Sequence, residues 1–329
     1  MSSILSKAGL SALSILLAST AVHADDLVRI ALVTGTSSIA IADDQGFFAK
    51  HGITLEITSL ATGTETIAAV VGGSSDIAYA DTFAGVNAIH NGFDIRLVAG
   101  ANHTSQSVNY LVRADSDIEG VEDFKGRKLG LGAVPFFRVF ANKLLESNDI
   151  DPSEVDFTLI RQTPALAETL ENGAVDIIQS NGFLVTYSND GIGEGYDFRA
   201  VVDPRTANYQ SPEAVQAGWW TSAERAEANP EVIAKFGAAY REFAAWYAEQ
   251  DLDTRIELAD KFDRVDFRAL ADGDDEKLNN LAFLSTARYV AGPVDVAATQ
   301  EWIASGVEAA PEQVLENIDI SKYLLPSAQ

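Results

Sequence analysis

Two short stretches, a hundred residues apart, constrain most strongly what this chain can fold into. Residues 73–77 read GSSDI and residues 173–177 read GAVDI. Each follows an apolar helical pattern, supplies a glycine where the helix stops, and opens a short strand of buried type. Each strand then ends in a polar turn, Asp81-Thr82 in the first case and Asn181-Gly182 in the second. The echo is embedded in two blocks with one rhythm. In the first, VRIALV (28–33), SIAIADDQGFFAKHG, ITLEIT (53–58), ETIAAVVGG (65–73), DIAYA (76–80), TFAGVNAIHNG and DIRLVAGA alternate between strand and helix patterns. In the second, RKLGLG, a helix over 136–147, VDFTLI, a helix over 165–172, VDIIQS and FRAVV do the same. Strands alternating with helices at this spacing form mostly parallel sheets joined by crossover helices.

Size agrees with two such sheets. The chain has 329 residues, 47% of them hydrophobic, which exceeds the roughly 250–300 residues that one core accommodates. VNYLVR (108–113) leads out of the first block, and DSDIEGVEDFKG leads into the second. Beyond residue 204 the pattern is mainly helical. Asn229-Pro230 reads as a helix start with proline at the first position. Val232, Ile233, Phe236, Tyr240, Phe243 and Tyr247 then recur at helical spacing. The expected fold is α/β, with two lobes that each hold a mixed, mostly parallel sheet. Residues 25–113 plus 204–329 make the first lobe and 114–203 the second, with hinges near 113–115 and 200–205.

Residues 1–24 read differently. Lys7 precedes the apolar run AGLSALSILLASTAV, and VHA then places small residues where a signal peptidase reads, before Asp25-Asp26. The run is too short to span a membrane and reads as a secretory signal cleaved after Ala24. The chain contains no cysteine. It therefore has no disulfides and no acceptor for a lipid anchor on cysteine, and a free periplasmic protein is expected. Removing the signal takes the formal charge from −25 to −26, because Lys7 is the only charged side chain in it. Such a surface repels nucleic acid and anionic lipid. It does not set the sign of a ligand, because local groups dominate inside a cleft.

The stretches DQGFFAKHGITLEI, GSSDIAYAD, IEGVEDFKGRKLGLG, LLESNDIDPSEVDF and LENGAVDI together resemble the solute-binding proteins of the nitrate/sulfonate/taurine and thiamine-precursor import family. The resemblance covers about residues 28 to 200. It implies a two-lobed periplasmic binding protein fold (type II-like) that closes on a small organic solute. It also implies a partner, an ABC-type permease in the inner membrane, and monomeric behaviour.

Other chemistries are disfavoured. The histidines His23, His51, His90 and His103 show no paired metal spacing, so no metal and no cofactor is expected. No G-x-S-x-G elbow or P-loop is present. GIGEG (191–195) follows YSND rather than a strand and reads as a turn. One eukaryotic branch of the resembled family is enzymatic and uses a cysteine-rich motif, which this chain lacks. A binder rather than an enzyme is expected, with a periplasmic enzyme of another type as the alternative.

In open α/β sheets, ligands gather at the carboxyl ends of the strands. That rule nominates Thr36, Ser37 and Ser38 after the first strand, Asp81 and Thr82 after the third, Asn102 and His103 after the fourth, and Asn181 in the second lobe. Asp81 can accept from a ligand N–H or cap the next helix. If GWWTS (218–222) is a strand, the rings of Trp219 and Trp220 point to opposite faces, and Trp220 is assigned to the cleft. In GAVPFFR (132–138), Phe137, Phe140, Ala141 and Leu144 form a core stripe, whereas Phe136 lies at its edge and is assigned, with Val134, to the cleft. This helix entrance carries no hydroxyl, and its proline removes a donor. It suits a solute with an aromatic or apolar face, pyrimidine-like or an aromatic acid, better than a small alkanesulfonate or taurine-type anion. Arg138 is read as a surface ion pair that could also meet a ligand carboxylate.

Overall fold

The structure is a computed structural model that describes residues 25–34, 36–104, 108–160, 163–180, 196–202, 212–263, 266–276, 278–279 and 288–329. Residues 1–24, expected above to be a secretory signal, lie outside these residues. The chain first lays down β1 (Asp26–Val33), α1 (Ser38–Asp44), α2 (Phe47–Lys50), β2 (Ile53–Leu60), α3 (Gly63–Val71), β3 (Ile77–Asp81), α4 (Thr82–His90) and β4 (Ile95–His103). It continues with β5 (Asn109–Arg113), β6 (Lys128–Gly132), α5 (Pro135–Glu146), β7 (Asp156–Ile160), α6 (Thr163–Glu171), β8 (Ile177–Ser180) and β9 (Phe198–Ala200). It returns through β10 (Val215–Ser222), α7 (Ala223–Ala228), α8 (Pro230–Ala248), α9 (Leu252–Asp263), α10 (Phe267–Ala271) and a C-terminal helix, Val296–Ala309. No described helix is long and apolar enough to cross a membrane.

The strands form two sheets, ordered β2-β1-β3-β10-β4 and β7-β6-β8-β5-β9. In each, three parallel strands meet an antiparallel strand in fourth place. That fourth strand is the one with which the chain crosses between lobes: β5 going out, β10 coming back. The expectation that residues 108–113 close the first lobe is therefore corrected. β5 pairs with β8 and β9, so the chain changes sheets between His103 and Asn109. Likewise the single helix expected over SIAIADDQGFFAKHG is two helices, because Gly46 takes a left-handed φ of 79° between them.

The sequence echo corresponds to a repeated hydrogen-bond device. Gly73 and Gly173 adopt φ of 75° and 73° just after their helices. The next two N–H groups of each turn donate to a single helical carbonyl, Ala69 in one lobe and Thr169 in the other. Asp76 then exchanges two bonds with Arg29: its N–H donates to the Arg29 carbonyl at 2.8 Å, and its Oδ2 accepts from the Arg29 N–H at 2.9 Å. Asp176 does the same with Lys128, at 2.9 and 2.8 Å. Each aspartate thus clamps the start of its strand to the strand beside it.

Helices cover both faces of the first sheet, which corrects the assignment of Trp220 to the cleft. Trp219 and Trp220 do point to opposite faces, but each face is core and both rings are 0% exposed. Trp219 packs among Phe236, Tyr240 and Tyr79. Trp220 lies beneath Gly85, where an added β-carbon would come within 2.4 Å of its ring. The core of the second lobe continues into the first. Trp302 of the C-terminal helix sits between Phe83 of α4 and Phe140 of α5, with both ring centroids 5.3 Å away. Residues after 204 therefore brace the second lobe as well as the first.

Candidate functional site

The carboxyl ends of the strands converge on a cleft of about 820 Å³ between the sheets. Thr34 and Thr36–Ser38 follow β1, Ala61–Thr64 follow β2, Asp81 ends β3, and Asn102 lies near the end of β4. The second lobe contributes Ala133, Val134, Pro135 and Phe136, which join β6 to α5. The structure thus brings together seven of the residues nominated by sequence position: Thr36, Ser37, Ser38, Asp81, Asn102, Val134 and Phe136. Asn181 lies outside the described residues.

Three nominated residues are placed elsewhere. Trp220 is in the core, as described above. Thr82 is 1% exposed, and its hydroxyl donates to the Val215 carbonyl; as the first residue of α4 it turns under the sheet and away from the cleft. His103 is held against β10's flank, with Nδ1 3.1 Å from the Glu213 carbonyl. Burial lowers its pKa, with Glu213 opposing. Arg138, too, is turned from the cleft and stacks 3.5 Å over the Phe157 ring.

The helix entrance at Pro135 behaves as its sequence implies. Phe137, Phe140, Ala141 and Leu144 are buried. Gly132 makes room for Phe137, since a β-carbon there would come within 2.4 Å of that ring. Phe136 is only partly buried: it rests on Phe137 at 4.2 Å and presents its remaining surface to the cleft. Val134, before it, is 37% exposed.

The floor in the first lobe is aromatic and polar. Tyr79 and Asp81 share one face of β3. The Tyr79 hydroxyl donates to Asn102 Oδ1 at 3.1 Å. Asn102 forms a β-bridge with Tyr289, whose ring packs on Tyr247 at 4.8 Å. Asp81 Oδ1 accepts the Ala84 N–H at 2.9 Å and so caps α4. Burial raises the Asp81 pKa, and backbone N–H groups at the helix start oppose the rise.

A profile described as NMT1/THI5 like matches residues 34–253, more than half of the chain. The chain belongs to the NMT1/THI5-like family. No curated protein matches it. Solved structures show the fold of this family member to be that of periplasmic binding proteins. It is similar to the periplasmic aliphatic sulphonate binding protein SsuA from Escherichia coli, with 18% identity, a TM-score of 0.68, and coverage of 92% of this chain and 98% of that one. It is also similar to a putative sulfonate ABC transporter's periplasmic sulfonate-binding protein SsuA from Methylobacillus flagellatus KT, with 21% identity, a TM-score of 0.67, and 93% of each chain covered. A third is the alkanesulfonate-binding protein SsuA from Xanthomonas axonopodis pv. citri bound to MOPS, with 14% identity, a TM-score of 0.64, and coverage of 91% and 98%.

In this NMT1/THI5-like chain, sequence reasoning missed the tyrosines of the floor and the Thr62-Gly63 turn. Tyr79 was visible in principle, because it is two residues from Asp81 on a strand and must share its face. Thr62 was visible as well, as the start of a T-x-x-E pattern: Thr62 Oγ1 accepts the Glu65 N–H at 3.2 Å, and Glu65 Oε2 reaches back one residue further to accept the Ala61 N–H at 2.9 Å. Tyr247 and Tyr289 carry no local signal, since only tertiary folding brings them to the cleft.

Proposed function

We propose that this chain is the periplasmic solute-binding component of an ABC-type uptake system. It takes a small organic solute between its lobes and delivers it to an inner-membrane permease, acting as a monomer and without catalysing a reaction. The observation that carries this reading is a cleft walled by strand-end loops of both sheets, one wall polar and aromatic, the other apolar at Val134–Phe136. Closure on a solute would bring these walls together, as hinged two-lobed binders do. Export through the 1–24 signal fits that role.

Phe136 supports a solute with an aromatic or apolar face. The names of the similar structures favour a second reading, a small alkanesulfonate. Melting-shift screening of the purified mature protein against pyrimidines, aromatic acids and alkanesulfonates separates the two. A true ligand at a hundredfold excess over its dissociation constant stabilises the protein by about 2.7 kcal/mol. A response confined to taurine-type sulfonates defeats the ring reading, and product formation on prolonged incubation defeats the binder reading.

Phe136→Ala is expected to weaken binding of a ring-bearing solute about tenfold. It should destabilise the unliganded protein by less than the about 3–5 kcal/mol typical of a fully buried phenylalanine. Calorimetric titration beside a thermal melt checks both. A large loss of stability with unchanged affinity would make Phe136 a core residue.

A further inference from the structure

The electrostatics of the cleft are simple among the described residues. Of the side chains that line it, Asp81 alone carries a formal charge. Its Oδ1 is occupied by the Ala84 N–H. Its Oδ2 lies over Gly63, where a β-carbon would approach it to 3.1 Å, so the absence of a side chain at 63 keeps this oxygen accessible. Tyr79, Tyr289 and Tyr247 form the floor beside it. Burial raises the Asp81 pKa, and burial first and the Asp81 charge second raise that of Tyr79. The carboxylate is thus held where its charge is incompletely compensated.

We propose that the solute carries a protonated amine or amidine-type nitrogen that docks on Asp81 Oδ2 within this tyrosine-lined floor, a proposal that rests on the solute-binding reading above. A nitrogen donor of this kind supplies the missing counter-charge through a charge-assisted hydrogen bond. The tyrosine faces attract a cation or its attached ring. An anionic group at the same place is disfavoured on three counts. The described lining contains no lysine or arginine. The starts of the two helices beside Asp81 are closed, that of α3 by Thr62 and Glu65 and that of α4 by Asp81 itself, although α1 starts at the cleft with no side-chain cap. The start of α5 has proline in place of a donor. A bound metal ion is not the occupant the geometry favours, because no group of three candidate ligands exists among the described residues.

The test uses the mature protein and three probes of one shape: benzamidine as the cation, benzamide as the neutral isostere, and benzenesulfonate as the anion. Asp81→Asn keeps a good helix cap, so the variant retains its fold while losing the charge. Titration calorimetry is expected to show benzamidine binding about tenfold or more tighter than benzamide in the wild type, with that advantage lost in D81N. Benzamide, which brings no charge, should lose less affinity in D81N than benzamidine does. If benzenesulfonate binds better than benzamidine, or D81N binds benzamidine as well as the wild type does, the Asp81 assignment is overturned and the solute-binding reading survives. Silence toward all three probes and toward the wider solute panel overturns both.

Discussion

Trp302→Ala is expected to cost about 3–5 kcal/mol of stability, the range for removing a large buried aromatic side chain. Trp302 is 2% exposed. It stacks on Phe83 from the first lobe with an interplanar angle of 26°, and on Phe140 from the second with an angle of 42°. Each such pair contributes about 0.5–1.5 kcal/mol beyond the area it buries, and here one ring serves both lobes. The close approach depends on Gly306, one turn along the same helix, where a β-carbon would come within 2.3 Å of the Phe83 ring. The site cannot readily collapse onto the cavity, because its two walls are helices of different lobes, α4 and α5. Trp302→Phe should be much milder. It keeps a ring in the stack and removes an indole N–H that finds no hydrogen-bond partner among the described residues. Urea unfolding followed by fluorescence and far-UV circular dichroism measures both variants. A loss below about 1 kcal/mol for Trp302→Ala would mean that the lobes are not braced through this ring.

What the sequence reveals here depends on how local the physical cause is. The glycine-stop and aspartate device at 73–77 and 173–177 is legible because its hydrogen bonds close within a turn or reach only to the adjoining strand. The stripe of Phe137, Phe140, Ala141 and Leu144 is legible for the same reason: helical spacing alone places it on one face. The lobe boundary is different. β5 has the same apolar pattern whichever sheet it joins, and its partners β8 and β9 lie far along the chain. Trp220 misleads because strand alternation specifies two faces without specifying whether one of them is open. In this sheet both are covered by helices. The candidate cleft divides along the same line. Loops at strand ends follow from topology, so Thr36–Ser38, Asp81, Val134 and Phe136 could be nominated from their order in the sequence. Tyr247 and Tyr289 reach the floor only through the packing of α8 and the segment before Val290 against the sheet, and nothing in their immediate neighbours announces it.

The two halves of the echo should respond unequally to the same substitution. Asp76→Ala is expected to destabilise the protein by about 3 kcal/mol, Asp176→Ala by about 1 kcal/mol. Both lose the bond that clamps the following strand. Only Asp76 is also an ionic hub: its side chain is 3% exposed, with the Arg29 guanidinium at 2.7 Å and the Arg225 guanidinium at 3.1 Å. Both arginines are about one-third exposed, so solvent screens part of the attraction, and the expected loss sits at the low end for a buried pair. Acid distinguishes the two sites further. Burial pushes the Asp76 carboxyl up, but the Arg29 hydrogen bonds and the charges of Arg225 and Arg29 outweigh it and hold the pKa below the usual carboxylate range. A group whose pKa is lowered on folding contributes its full stability above its unfolded value, roughly 3.9 for aspartate, and loses it as pH falls through the folded value. The gap between wild type and Asp76→Ala should therefore be constant from neutral pH down to about 5 and narrow below about 4. Unfolding free energies measured across that range decide the matter. Equal losses for the two alanine variants at pH 7 would show that the arginine pairs add nothing to the strand clamp.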